Sequence, residues 1–369
     1  MQFKSLALAL AALVGGASAI SQEVAEYALR VEFKAFEAKF GKAHSSAELR
    51  ESKFWTFVQN LEDVVSKNAA LKAEGKDEVH GITKFADVTK DEFAAKMLTF
   101  RPAEANLTGV PVMKPTKEAS GSTFDWRDSG VVTPVKNQAY CGSCWAFSAT
   151  ETVESQYAIA GNTPTELSVQ QTVSCDTTDD GCGGGWYYTA WMDYMAPNGG
   201  LTTESNYPYD SQTAAGTAST CNTAKEAQVT SGTTPSSDAV ATPTCQSFSC
   251  NNQDEDTLKA NLVSYGPISI AADASEWSSY TGGVLTSSSC SSSGFKLDHA
   301  IQLVGYNEDA PTPYWIVRNS WDTTWGEDGY IYLEMGSNTP AAWPTWPTYG
   351  HPLNFGFPFI MHIRCTFFC

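Results

Sequence analysis

Gln138-Ala139-Tyr140-Cys141-Gly142-Ser143-Cys144-Trp145-Ala146-Phe147-Ser148 leads into a segment in which Ala146, Ala149, Val153 and Tyr157 recur at helical spacing. Cys144 thus falls in the first turn of an amphipathic helix, where the helix N-terminus stabilises a thiolate. Three chemistries fit such a Cys-x-x-Cys: a redox dithiol, half of a zinc site, or one structural cysteine beside a nucleophile. Thioredoxin-type dithiols place Trp before the first cysteine and follow a βαβ pattern, whereas here Trp145 follows the second. A zinc site needs a second ligand pair at finger-like spacing, and no His lies near Cys175 or Cys182. We expect no metal and no cofactor.

A nucleophile needs a base and a group to orient it. Asp298-His299-Ala300 opens one strand-like run and Arg318-Asn319-Ser320-Trp321 closes another, so antiparallel pairing would set His299 beside Asn319. The chain has only 5 histidines, and a lone His at a strand start is more often structural. It is the combination with Cys144 that carries the reading.

Together these residues resemble the papain family of cysteine proteases, and its cathepsin L-like members in particular, over roughly residues 30 to 336. The motifs are Cys-Gly-Ser-Cys-Trp-Ala-Phe-Ser at 141–148, Gly181-Cys182-Gly183-Gly184-Gly185, the His299 segment, Asn319-Ser320-Trp321, and Trp325-Gly326-Glu327-Asp328-Gly329-Tyr330. The resemblance implies an α+β fold with a papain-like helical lobe and a β-barrel-like lobe, preceded by an α-helical inhibitory propeptide. It makes Cys144 the nucleophile, His299 the base and later acid, Asn319 the orienting group, and Gln138 a donor to the oxyanion. The implied reaction is endopeptidase cleavage of polypeptide substrates through a thioester, by a monomer made as a zymogen.

Gly184 and Gly185 then offer backbone to a substrate strand. Trp186, Tyr187, Ala271 and Leu297 align with the walls of the pocket for the side chain two before the cut. Trp321 contacts substrate or, more in keeping with its neighbours, shields the Asn319 hydrogen bond. The family pattern implies disulfides Cys141–Cys182 and Cys175–Cys221; Cys245 and Cys250 are spaced to close a local loop. The rival reading is a non-catalytic relative, and an exopeptidase would need a cleft-blocking insertion that is not visible.

Upstream, residues 1–19 join Lys4, an apolar run from Leu6 to Val14, and Ala17-Ser18-Ala19, the pattern of a cleaved signal peptide. The run is too short to span a bilayer, and export to a lysosome, vacuole or the exterior follows. Residues 20–119, the propeptide, contain no cysteine; residues 120–369, the catalytic part, contain all 10. Val24, Ala28, Val31, Ala35 and Phe36 predict a helix from Ser21, its cap, to about Lys42, with Gly41 as the stop. A second helix starts at the capping box Ser45-x-x-Glu48 and carries Phe54, Phe57, Leu61, Val64, Asn68 and Leu71 on one stripe before Gly75. Such a hairpin needs a partner surface, which the rest of the chain supplies. The segment after Asp87 reads as loop, exposed and cleavable near Ser120. Gly81-x-Thr83-x-Phe85-x-Asp87 matches the family's propeptide turn with Thr for Asn, while Lys53 and Leu49 depart from its long-helix motif.

The formal net charge of −18 excludes a nucleic-acid partner. It is unevenly spread: residues 20–119 hold 15 Lys and Arg against 16 Asp and Glu, and residues 120–369 hold 7 against 25. A Lys-bearing propeptide on an acidic enzyme would loosen as carboxylates protonate on acidification. In an exported chain most cysteines form disulfides, and Asn106 in Asn106-Leu107-Thr108 is a usable glycosylation site. Residues 211–244 read as an elaborated surface loop, and 267–272, 300–306, 314–318 and 329–335 as strands.

The resemblance stops at Thr339, where relatives continue Cys-Gly and supply the last disulfide partner, which here would serve Cys290. Pro340-Ala341-Ala342-Trp343-Pro344 can be encoded as CCT GCG GCC TGG CCN, and skipping two bases reads Cys-Gly-Leu-Ala. We expect residues 340–369 to come from a shifted frame, the alternative being a divergent tail. The odd number of cysteines left after Cys144 agrees with a shift.

Overall fold

Aromatic side chains decide how the N-terminal helices pair. Helix α1 (Ala19–Phe40) carries two apolar stripes, and the one that packs is Ala25, Leu29, Phe33 and Phe36. Phe33 lies 5.6 and 5.4 Å from the rings of Phe54 and Phe57 on α2 (Ala47–Ala73). Of the expected stripe only Phe36 joins this packing, its ring 5.2 Å from Phe57, while Val24 and Val31 are 65% and 48% exposed, because α2 offers rings that the aromatic stripe meets. Helix α1 also begins upstream of Ser21, which is therefore not its cap. On α2 the cap is Ser46 rather than Ser45, its Oγ accepting from the Leu49 amide at 3.1 Å, so Glu48 does not close a capping box. The expected stripe from Phe54 to Leu71 is buried throughout.

This computed structural model describes residues 19–101, 115–226, 255–287, 297–336 and 366–367. Residues 1–18 of the expected signal peptide 1–19, Asn106, Cys245, Cys250, Cys290 and the tail apart from 366–367 lie outside the described residues.

Where loop was expected after Asp87, a third helix α3 (Lys90–Met97) forms on a Thr89/Glu92 capping box. Then come β1 (Thr123–Asp125), α4 (Cys144–Ile159), α5 (Val169–Cys175), α6 (Glu255–Tyr265) and β2 (Ile268–Ala272). The chain closes with β3 (Val284–Leu285), β4 (His299–Asn307), β5 (Tyr314–Arg318), β6 (Tyr330–Glu334) and β7 (Thr366–Phe367). The sheet runs β3-β6-β5-β4-β2-β7, with β1 continuing the β2 edge of β4. All neighbours are antiparallel except β3 with β6 and β2 with β7. The loop expected from residue 211 starts with a helical turn, Ser211–Ala214, whose Thr213 is fully buried against Gln170.

Two cores result. Trp145, Phe147, Leu167, Val173, Met195 and Tyr207 fill the helical lobe. Trp277, Leu303, Trp315, Val317 and Ile331 fill the sheet lobe, and Leu71, Val79, Phe85, Phe93 and Met97 of the N-terminal segment join that same core. The partner surface that the helical hairpin requires is the sheet lobe.

Between the lobes lies a buried charge cluster. Arg318 of β5 is fully buried, donates to Gln302 Oε1 and Thr133 Oγ1, and stands 3.5 Å from Glu151 of α4. Lys136 bridges Glu154 and Glu166, each at 3.1 Å. Burial pushes the Glu151 carboxyl up to about 7, although Arg318 and Lys136 pull it back. The folded state therefore holds a proton that the unfolded chain loses near pH 4.5, and this stabilisation is lost as pH rises through 7. Thermal melts from pH 5 to 8 should show stability falling by up to about 3 kcal/mol, with Glu151→Gln flattening the slope. Parallel slopes for the two proteins would contradict this.

Candidate active site

Cys144 is the first residue of α4, and a disulfide and a turn hold it there. Cys141–Cys182 ties the turn before α4 to the glycine loop at 181–185, and Gly142 N–H donates to the Cys182 carbonyl at 3.1 Å. Cys175–Cys221 braces the same lobe. These are the two pairs the resemblance implied, and Cys144 is the free cysteine among the described residues.

The sheet lobe supplies the other half. His299 starts β4 and Asn319 follows the end of β5, so the antiparallel register that pairs Gln302 with Arg318 draws both to one end of the sheet. His299 Nε2 lies 2.8 Å from Asn319 Oδ1, an acceptor that also receives the Ser320 amide at 2.8 Å. An amide oxygen on both bonds makes Nε2 the protonated nitrogen. Trp321 covers this bond, its ring 4.7 Å from the imidazole, with Trp325 and Trp277 behind it. Phe85 and Phe93 also pack on Trp321, each ring at 5.2 Å.

Gln138, fully buried, donates from Nε2 to the Cys141 carbonyl at 3.0 Å. Its Oε1 accepts from Ser320 Oγ at 2.7 Å and Trp321 Nε1 at 3.1 Å. Two donors on the oxygen fix the amide orientation, so the nitrogen is the end presented on the Cys141 side.

Residues 97–101, in the stretch expected to be propeptide, cross the cleft. Thr99 Oγ1 donates to the Gly142 carbonyl at 2.7 Å and lies 4.0 Å from Cys144 Sγ. The Phe100 amide donates to the Asp298 carbonyl at 2.8 Å, and the Arg101 amide donates to the Gly185 carbonyl at 3.0 Å as part of a parallel bridge between Phe100 and Gly185. The Phe100 ring stacks on Tyr187 at 5.3 Å and packs with Trp186, Ala271, Leu297 and Ala300. The four pocket residues named from the sequence thus meet around one propeptide side chain. Gly184 has φ of +120°, and a Cβ there would stand 2.1 Å from the Thr99 carbonyl oxygen, so only glycine admits a strand this close.

Closing the cleft inverts the expected electrostatics. Burial pushes the Cys144 thiol up to about 11, against hydrogen bonds from the Ala300 and Thr99 groups. Burial also pushes the His299 imidazole down to about 4, against the Asn319 bond and the Met97 carbonyl. Helix α4 still points its N-terminus at the sulfur, but loss of water outweighs it, and thiol and imidazole are both held neutral. The sequence reading missed Thr99, Phe100, Asp298, Ser320 and Trp277. Of these only Ser320 and Asp298 carried a signal, as neighbours of Asn319 and His299.

The papain family cysteine protease profile matches residues 120–345, and the cathepsin propeptide inhibitor domain matches residues 33–93. A cysteine proteinase of Trypanosoma brucei brucei is 39% identical over 336 residues, covering 90% of this chain and 69% of its own. Cysteine proteinase 1 of Dictyostelium discoideum is 38% identical over 328 residues, covering 84% of this chain and 89% of its own. Digestive procathepsin L 3 of Tenebrio molitor larval midgut superposes with a TM-score of 0.68 at 28% identity, over 84% of this chain and 94% of that one. The recombinant stem bromelain precursor does so with a TM-score of 0.65 at 29% identity, over 84% and 93%. The chain belongs to the papain family of cysteine proteases and carries that family's propeptide inhibitor domain.

Proposed function

We propose that the chain is a zymogen of an endopeptidase that cleaves polypeptides through a Cys144 thioester, with acid as the trigger for release of its propeptide. The observation that carries this reading is the 97–101 segment lying over Cys144 with Phe100 in the apolar pocket. A blocked cleft is meaningful only where a substrate strand would otherwise lie.

In the opened enzyme, water returns to the cleft and the N-terminus of α4 favours a thiolate while Asn319 favours the imidazolium. Asn319 orients the ring without adding a negative charge, so the thiolate remains the imidazolium's counter-ion. The thiolate adds to the peptide carbonyl, and the oxyanion is met by the Gln138 amide and the Cys144 backbone N–H. His299 passes its Nδ1 proton to the leaving amine, then takes one from the water that hydrolyses the thioester. Trp186, Tyr187, Ala271 and Leu297, which enclose Phe100, favour substrates with an apolar side chain two before the cut.

Charge pairs across the seam help hold the propeptide, such as Lys67 with Glu276 at 2.7 Å. The route to an acidic compartment is the secretory pathway, ending in a lysosome, vacuole or the exterior. The disulfides accord with it, and no helix among the described residues is long and apolar enough to cross a membrane.

Three substitutions test the reading on a fluorogenic peptide. Cys144→Ser should abolish hydrolysis after propeptide removal, and surviving activity would overturn the assignment. Gln138→Ala should lower kcat by about 10²–10³ with little change in KM. Phe100→Ala, which empties the pocket, should speed proenzyme processing by at least about tenfold, given that losing a buried Phe costs about 3–5 kcal/mol. An unchanged processing rate would show that Phe100 does not hold the propeptide down.

A further inference from the structure

His80 lies in the seam between propeptide and sheet lobe and is 3% exposed. From the propeptide side, Asn68 clamps its backbone: Oδ1 accepts the His80 amide at 3.1 Å and Nδ2 donates to the His80 carbonyl at 2.8 Å. From the catalytic side, an antiparallel bridge joins His80 to Tyr280. The Gly81 amide donates to the Ser279 carbonyl at 2.7 Å and the Thr281 amide to the Val79 carbonyl at 2.9 Å. The imidazole is therefore locked into the join itself. Its Nδ1 is 3.0 Å from Ser279 Oγ, and its Nε2 is buried with no hydrogen-bond partner.

A neutral ring tolerates this site, since its Nδ1–H can donate to the Ser279 hydroxyl while the partnerless Nε2 carries no proton. An imidazolium does not: it has two N–H donors, and the charge needs a counter-ion. The charged groups facing the ring are Lys67 and Asp63 from α2 and Glu276 from the sheet lobe. Both carboxylates are already engaged, because Lys67 Nζ lies 2.8 Å from Asp63 and 2.7 Å from Glu276, and Lys90 Nζ lies 3.4 Å from Asp63. Two carboxylates matched by two ammonium groups leave nothing for a third cation.

We infer that His80 is the proton-operated latch of the zymogen: the ring docks neutral, and its protonation breaks the Val79–Gly81 pairing that keeps the propeptide on the sheet lobe. This rests on the reading of the chain as an acid-released zymogen and names the group that senses the acid.

The sign follows from linkage. Burial, helped by Lys67, pushes the docked imidazole down to about 4, against Glu276 and Asp63. An undocked His titrates near about 6.5. The docked state thus binds fewer protons, so docking is at full strength above pH 6.5. It weakens about tenfold per pH unit below that and levels off near pH 4, a total on the order of 10²-fold.

The test uses the full chain with Cys144→Ser, so that no self-processing intervenes. Amide hydrogen exchange at 79–81 and 279–281, corrected for the intrinsic pH dependence of exchange, is followed from pH 7.5 to 4. Protection should be lost between pH 6.5 and 4 with His80 present and persist about one pH unit lower in His80→Gln. Coincident profiles would overturn the latch. Should His80→Gln fail to fold, exchange at the His80 ring C2–H in the unsubstituted ring reports its titration directly. A midpoint below 5 supports the latch, and one near 6.5 refutes it. Neither readout depends on catalysis, so a chain without peptidase activity at any pH would defeat the functional reading while leaving the latch separately decided.

Discussion

Desolvation of one thiol and one imidazole is the constraint on which the rest of this molecule depends. A thiolate–imidazolium pair needs water or oriented dipoles to hold two charges apart in a cleft, and a propeptide that fills the cleft removes the water. The segment 97–101 does so with few contacts: a hydroxyl beside Sγ, two amides bonded to carbonyls, and a ring in the apolar pocket. Inhibition then needs no distortion of the catalytic geometry. The His299–Asn319 bond and the Gln138 amide are already set, so in the proposed mechanism activation needs only removal of a cover.

The same logic explains why so much of the propeptide is devoted to the sheet lobe. A five-residue plug cannot hold itself in place, and the propeptide sinks Leu71, Val79, Phe85, Phe93 and Met97 into the core that also surrounds Trp277 and Trp321. Trp321 thereby serves two partners, covering the Asn319 bond with one face and receiving Phe85 and Phe93 on its edges. Anchor and plug are joined by α3, so in the proposed mechanism a loosened seam at His80 and Tyr280 would free the segment over Cys144.

The proposed catalytic residues were legible in the sequence because chemistry restricts residue type: a thiol at a helix start, an imidazole and an amide at paired strand ends. The strands were legible for the same local reason, with β5 falling on residues 314–318 as expected. What escaped was decided by partners far along the chain. Nothing local distinguishes the two apolar stripes of α1; the rings of α2 choose between them. Phe100 sits in a short stretch between α3 and Pro102 with no periodicity, and its meaning comes from Tyr187 and Ala271. Helix α3 did carry its signal, a Thr-x-x-Glu capping box at Thr89 and Glu92, masked by surrounding lysines. The direction of the Cys144 shift could not be read at all, because it depends on whether the cleft is covered.

Titration of the Cys144 thiol by thiolate absorbance, in the proenzyme and again after propeptide removal, tests the central claim most directly. The account predicts a thiol that stays protonated to well above pH 9 in the proenzyme and ionises well below the ordinary value of about 8.5 once the cleft is open. The same titration in both forms would contradict it.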